Sequence, residues 1–143
     1  WNDWYLSANL RKKNNLDHVL LSGLETLGIP SEFKNLVHPF FYNDLKSLKK
    51  IIKKEKNIGT IFMEVQRNIP PQKNFLKEVR KIADQNNILM AFDEMQSGFG
   101  RTGKKFGYEH YNIHADLLCC GKGIASGFPL SAVIGKKEIM DLL

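Results

Sequence analysis

Short apolar runs alternate with amphipathic segments over the second half of the chain. The runs at 58–65, 88–92, 116–120 and 130–134 predict buried strands. Residues 75–86 place their apolar side chains on one helical face and predict a helix between the first two strands. Buried strands separated by helices are typical of parallel sheets. The pattern therefore predicts an α/β fold with a mostly parallel sheet and helices on both faces.

The first third of the chain is less regular. Residues 36–42 are apolar but contain Pro39, which predicts an edge strand or an extended lead-in. The lysine-rich segment that follows predicts an amphipathic helix that ends near Lys56, with Asn43 or Asp44 as its cap. Residues 136–143 predict the start of a further helix.

Composition narrows the class of protein. The 143 residues include 21 Lys and Arg against 15 Asp and Glu, a net charge of +6, and only two cysteines. Two cysteines cannot build a disulfide framework, and no apolar run approaches the ~20 residues of a membrane span. With no visible signal segment, we expect a cytoplasmic protein without a membrane partner.

Much of the positive charge lies in the lysine-rich helix. This segment has no arginine and no aromatic side chain for stacking on bases, so the pattern favours a solvated face and no nucleic-acid partner. A basic binding module stays an alternative, and steep salt dependence of nucleic-acid binding would favour it.

Charged side chains follow the ends of the predicted strands. Charged residues end or follow three successive strands, where ligands bind in open α/β sheets: Glu64 at the first, Asp93 and Glu94 at the second, and Lys122 at the third. Seven of the eleven glycines lie between Gly98 and Gly127, which suggests loops that bend sharply or admit a ligand. Spacing alone leaves three interpretations open: a structural ion pair between Asp93 and Lys122, a solvated lysine, or a cofactor that needs both groups.

Two other motifs carry less weight. Gly98, Gly100 and Gly103 match a dinucleotide-binding fingerprint, but four residues separate them from the strand and no helical pattern follows. A dinucleotide-binding oxidoreductase is therefore an alternative that the context disfavours.

His110 and His114 have the spacing of metal ligands on a helix, but no further ligand is placed near them, so we expect no metal.

Pyridoxal phosphate is a cofactor that needs both an amine and a carboxylate. It forms a Schiff base with a lysine, and a carboxylate keeps its ring nitrogen protonated. The runs AFDEMQSGFGRTG at 91–103 and DLLCCGKGIASGFPLSAVIG at 116–135 closely resemble the class III aminotransferases of pyridoxal-phosphate fold type I. The upstream runs WNDWYLSANL, LSGLETLGIP, FFYNDL and IFMEVQRNIPP resemble central segments of the same family. The resemblance implies that residues 1–143 are the central part of the large cofactor-binding domain, without its N-terminal part or the C-terminal small domain. We expect the chain alone to be inactive.

The resemblance also implies a role for each site residue. Asp93 would pair with the ring nitrogen, and Lys122 would carry the Schiff base and move a proton between the substrate and the cofactor. Gln96 would donate a hydrogen bond to the phenolic oxygen of the ring, and Met95 would pack against the ring face. Glu64 would support the site from the neighbouring strand.

The implied reaction moves an amino group from a small amine or amino acid to an oxo acid or aldehyde, in a homodimer. Val65 and Ile69 depart from the pattern of ornithine- and aminobutyrate-type members. The first ten residues resemble the glutamate-1-semialdehyde aminomutase branch, whereas QSGFGRTG resembles the ω-aminotransferase branch. An intramolecular aminomutase therefore stays an alternative, and the substrates stay open. Arg101 is expected to hold its loop rather than to touch substrate.

Overall fold

The structure is a computed structural model that describes residues 4–16, 23–66 and 68–142. The chain divides into two compact units, Trp1–Lys54 and Glu55–Leu143. Some residues of the segments that resemble the family lie outside the described ranges, namely 1–3, 21, 22 and 67.

The first unit consists of short helical segments. It contains 3-10 turns at Trp4–Ser7 and Ser31–Asn35, the one-turn helix α1 (Ala8–Arg11) and the helix α2 (Leu45–Lys54). Asp44 caps α2, because its Oδ1 accepts hydrogen bonds from the backbone N–H groups of Lys46 (2.9 Å) and Ser47 (3.2 Å). The lysine-rich helix and one of its two predicted caps are thus confirmed. Residues 36–42 form no strand and are an extended lead-in with a turn before the helix.

The second unit contains a four-stranded sheet. Its strands are β1 (Thr60–Glu64), β2 (Leu89–Asp93), β3 (Leu117–Cys120) and β4 (Ala132–Gly135), in that spatial order. The first three are parallel, and β4 pairs antiparallel with β3. The helix α3 (Phe75–Gln85) connects β1 to β2, and α4 (Lys137–Met140) follows β4. This mostly parallel sheet with its helices confirms the predicted α/β class.

The two faces of the sheet differ in burial. One face is wholly buried in the three parallel strands and carries Ile61, Met63, Met90, Phe92, Leu118 and Cys120. Six residues of α3 are buried as well and complete this core. The opposite face is partly open, since Phe62 is 38% and Val133 is 52% exposed. Glu64 and Asp93 belong to this more open face, and both are half-buried.

A buried ion cluster holds the amino ends of the strands. Asp116 accepts hydrogen bonds from Arg80 (2.6 Å), Lys136 (2.6 Å) and the backbone N–H of Met90 (2.8 Å). Burial raises the pKa of this carboxyl, but the hydrogen bonds from Lys136, Met90 and Arg80 outweigh it and lower the pKa from 3.8 to about 2. Asp116 is therefore a structural anion at the edge opposite the candidate site.

Candidate active site

The carboxyl ends of the parallel strands bring the predicted site residues to one edge of the sheet. Glu64 pairs in register with Asp93, and Asp93 pairs with Cys119. Neighbouring strands lie about 4.8 Å apart, so the two carboxylates are adjacent on the same face. Lys122 follows β3 by two residues and begins the 3-10 turn Lys122–Ala125 at this edge.

Asp93 is held by the backbone of its own turn. It is half-buried, and its Oδ1 accepts a hydrogen bond from the N–H of Met95 at 2.9 Å. Among the described residues, neither Asp93 nor Lys122 takes part in an ion pair. The structural ion pair that the spacing left open is therefore not formed, and both charged groups are available to a ligand.

The backbone around Lys122 is constrained. Lys122 has φ +47°, a left-handed conformation that costs an L-residue about 1–2 kcal/mol. A side chain at Gly121 would collide with the thioether of Met95, and one at Gly123 would lie 3.0 Å from Cβ of Phe99. The loop after β2 thus packs directly on the loop that carries Lys122. Strain of this kind persists where surrounding structure enforces it, and it is concentrated at functional sites.

Two cavities open at this edge. A cavity of about 590 Å³ is lined by Arg101, Lys122, Gly123, Ser126, Gly127, Phe128, Pro129, Leu130 and Ser131. A second cavity of about 390 Å³ is lined by Gln66, Asn68, Gln96, Ser97, Arg101 and Thr102. Lys122 and Gln96 therefore lie in different cavities, and Arg101 lines both. Asp93, Met95 and Glu64 line neither, although Met95 lies against the lysine loop.

The buried carboxylate of Glu94, which the sequence places at the end of the second strand without indicating a role, organises the loop between the cavities. Glu94 is 1% exposed, and its Oε2 accepts hydrogen bonds from Oγ of Ser97 (2.5 Å) and N–H of Gly107 (3.0 Å). Its Oε1 accepts the N–H of Tyr108 at 3.0 Å. Glu94 thereby joins both ends of the segment 98–106, which we call the glycine-rich loop. The only signal in the sequence is its place directly after Asp93, on the opposite face of the strand end.

The expectation that Arg101 holds this loop is not met, because no hydrogen bond or ion pair of the described residues involves its guanidinium. The loop is held instead by Glu94 at its ends and by His110 near its tip. Nε2 of His110 lies 3.0 Å from the carbonyl oxygen of Thr102 and donates to it. Arg101 is exposed to the cavities and available for a ligand.

The remaining candidates have structural roles. His110 binds the loop as described, and no group of three His, Cys, Asp or Glu residues in the described ranges could hold a metal ion. Cys119 and Cys120 are unpaired thiols, and burial raises the pKa of each. Across residues 4–16, 23–66 and 68–142, no helix has the length and apolar character needed to cross a membrane.

The sequence is similar to a known protein family and to characterised members of it. Residues 29–143 match the family model described as aminotransferase class-III. The chain is 40% identical over 124 residues to a glutamate-1-semialdehyde 2,1-aminomutase of Methanobrevibacter smithii, covering 83% of this chain and 29% of that protein. It is 36% identical over 115 residues to a succinylornithine transaminase/acetylornithine aminotransferase of Pseudomonas aeruginosa, covering 78% of this chain and 28% of that protein.

Solved structures show the same relationship. The fold superposes on ornithine aminotransferase from Plasmodium yoelii with a TM-score of 0.68 and 34% identity, covering 71% of this chain and 28% of that one. It superposes on acetylornithine aminotransferase from Elizabethkingia anophelis with a TM-score of 0.68 and 33% identity, with the same coverage. The chain spans less than a third of the length of each of these proteins.

Proposed function

Because the chain belongs to the class III aminotransferase family, we propose that it carries the pyridoxal-phosphate centre of a transaminase. The reaction moves an amino group from an amino acid or amine to an oxo acid or aldehyde. The observation that carries the proposal is the placement of Asp93 and Lys122 at one edge of the sheet, neither in an ion pair with a described residue. Pyridoxal phosphate supplies an electron sink for a carbanion next to nitrogen, and an amine and a carboxylate are the groups it needs.

Each side chain has a distinct task in this proposal. The Nζ of Lys122 would hold the cofactor covalently and would act as a general base toward the substrate carbon next to nitrogen. The Asp93 carboxylate, oriented by the Met95 N–H, holds the proton on the ring nitrogen. The constrained backbone at Lys122 supports this role, because it fixes where the lysine side chain leaves the loop.

Three further residues complete the proposed site. Met95, whose thioether lies against Gly121, would pack beside the cofactor. Gln96 would donate to the phenolic oxygen of the cofactor; it is exposed and lines the 390 Å³ cavity. Glu64, the register neighbour of Asp93, supports the site from β1.

An intramolecular aminomutase is the second candidate. The 40% identity to the Methanobrevibacter smithii aminomutase over 83% of this chain favours it. The two candidates differ in their need for an acceptor, since a transaminase requires an added oxo acid or aldehyde and an aminomutase does not. Product formation from a single amino-aldehyde substrate, without any acceptor, would assign the mutase.

The experiment uses the full-length protein and its Lys122→Ala and Asp93→Asn variants. Lys122→Ala should lose the visible absorption band of the bound cofactor and the borohydride-stable label on the peptide that contains Lys122. Asp93→Asn should keep the band and lose turnover by about a hundredfold, since a preorganised charged group is removed from the reacting ring. Lys105→Ala is the matched control, because Lys105 lies on the glycine-rich loop and lines neither cavity. An unchanged band in Lys122→Ala, or near-normal turnover in Asp93→Asn, contradicts the proposal.

We also propose a homodimer in the cytoplasm. The dimer is what the family resemblance implies, and two free cysteines suit a reducing compartment. Light scattering of the full-length protein at two concentrations tests the dimer, and fractionation of the producing cells tests the compartment.

A further inference from the structure

We propose that Phe99 is a positioning residue for Lys122, because its side chain packs on Gly123 and holds the backbone from which the lysine side chain leaves. The inference rests on the proposed function of Lys122. It adds a residue of the glycine-rich loop that acts through the loop after β3.

Both neighbours of Lys122 are glycines that face a side chain from the loop after β2. A Cβ added at Gly121 would collide with the thioether of Met95. A Cβ added at Gly123 would lie 3.0 Å from Cβ and 3.7 Å from Cγ of Phe99, and the first distance is shorter than an optimal carbon–carbon contact. Met95 and Phe99 therefore restrict the backbone of Lys122 from its two ends.

A closed turn presents Phe99 to the loop that carries the lysine. The N–H of Gly98 donates to the carbonyl oxygen of Glu94 at 2.8 Å and closes a single turn before Phe99. The ring of Phe106 then meets the ring of Phe99 edge-on, with centroids 5.5 Å apart and planes at 73°. Phe99 is thus fixed by the turn before it and by an aromatic partner further along the chain.

The backbone of Phe99 is strained. Its φ is +55°, in the left-handed region that bulky L-residues rarely adopt. Glycine takes this conformation without steric cost, and Gly98 and Gly100 stand on either side of Phe99. A bulky residue persists in it only where its surroundings enforce it. The contacts of the Phe99 side chain with Gly123 and Phe106 supply that enforcement.

Lys122 needs a restraint from outside its own loop. Its φ is +47°, and the glycines on either side have no side chains that could hold the loop. The flexible side chain of a lysine starts from the backbone, so each shift of its Cα moves Nζ as well. A misplacement of 1 Å can cost about a hundredfold in rate. A residue that fixes this backbone therefore acts on the reaction of the amine.

The test combines a measurement without cofactor and one with it, both on the full-length protein. The N–H of Ile124 donates to the carbonyl oxygen of Gly121 at 3.3 Å, across Lys122, so its hydrogen exchange in the cofactor-free protein reports opening of this backbone. Pyridoxal phosphate is then added at increasing concentrations, and formation of its visible absorption band is followed. The half-saturating concentration reports reversible binding, and the limiting first-order rate reports covalent attachment to Nζ, in which water leaves.

Three single variants and one double variant are compared with wild type. Phe99→Gly removes the side chain and also relieves the left-handed strain, so the fold is kept. Phe99→Leu keeps an apolar side chain on Gly123, and Gly123→Ala approaches the same contact from the other loop, alone and combined with Phe99→Gly. Asn112→Gly is the matched control, because it makes the same backbone change at another left-handed residue (φ +51°), after the turn Gly107–Tyr111.

Phe99→Gly should speed exchange at Ile124 and slow the first-order step, each at least about tenfold, while the half-saturating concentration stays within about twofold. Phe99→Leu should recover most of both losses, and Asn112→Gly should match wild type. Gly123→Ala should slow the step in wild type and add little to Phe99→Gly, because the Cβ that it meets is then absent.

The proposal is overturned if Phe99→Gly leaves exchange at Ile124 unchanged, if Asn112→Gly has an equal effect, or if the effects of Gly123→Ala and Phe99→Gly on the rate simply add. Absence of the visible band in wild type would instead overturn the proposed function. The exchange of Ile124, measured without cofactor, would still decide whether Phe99 holds this backbone.

Discussion

Glu94 offers the sharpest test of how the loop beside the site is held. Its carboxylate is buried and accepts three hydrogen bonds, one from the hydroxyl of Ser97 and two from the backbone N–H groups of Gly107 and Tyr108. Replacement by glutamine keeps the size of the side chain but turns one acceptor oxygen into a donor. We expect Glu94→Gln to loosen the glycine-rich loop without unfolding the unit.

The free-energy cost of the substitution follows from the hydrogen-bond donors that it leaves without an acceptor. Whichever way the new amide is turned, its NH₂ faces at least one backbone N–H, and an unsatisfied buried donor costs about 1–3 kcal/mol. Hydroxyl rotation lets Ser97 adapt, so it adds little. Opening of the loop should therefore become about 5- to 150-fold more frequent. Glu94→Ala, which removes all three acceptor contacts and leaves a void, should cost more.

Hydrogen exchange measures this opening directly. In the cofactor-loaded full-length protein, the amides of Gly107 and Tyr108 should exchange about 5- to 150-fold faster in Glu94→Gln than in wild type. Glu109→Gln is the matched control, since Glu109 accepts a single backbone hydrogen bond, from Phe106 at 3.0 Å, in the same turn. Unchanged exchange at Gly107 and Tyr108, or an equal effect in Glu109→Gln, would refute the role assigned to Glu94.

Two further predictions concern the ion cluster and the lysine loop. The pKa of Asp116 is about 2 in the folded state against 3.8 when unperturbed, so its stabilisation is complete above about pH 4 and is lost as the pH falls towards 2. Urea unfolding of wild type should show a loss of about 2 kcal/mol over that range, and Asp116→Asn should lack this component. Gly121→Ala should displace the Met95 thioether and weaken cofactor binding. Met95→Ala combined with Gly121→Ala should restore part of the affinity in equilibrium dialysis, and no restoration would contradict the contact.

The sequence predicted the elements of the second unit well because their apolar residues are buried. The apolar run at 58–65 contains β1 (Thr60–Glu64), and the helix predicted at 75–86 is α3, which ends at Gln85. The direction of β4 could not be predicted from its apolar pattern. The connection between β3 and β4 is short and contains only one 3-10 turn, whereas a parallel partner needs a longer crossover.

The site was predictable where it depends on the ends of strands and not where it depends on loop contacts. Asp93 and Lys122 follow apolar runs, so parallel pairing alone brings them to one edge. The role of Glu94 depends on backbone N–H groups at Gly107 and Tyr108, and no pattern of side chains encodes those partners. The position of Arg101 between two cavities depends in turn on that loop closure.

Charged residues of the same types have different roles at the two edges of the sheet. Asp116 at the amino edge has two cations and a backbone N–H as partners, so its charge is satisfied inside the protein. At the carboxyl edge, Asp93 has one backbone N–H, and neither Lys122 nor Arg101 has an ionic partner among the described residues. A buried charge whose partners are complete stabilises the fold, whereas charges that have no ionic partner in the protein and lie at an accessible edge stay available to a ligand. This difference between the two edges, more than the presence of any single residue, is what supports the proposed cofactor site at the carboxyl edge.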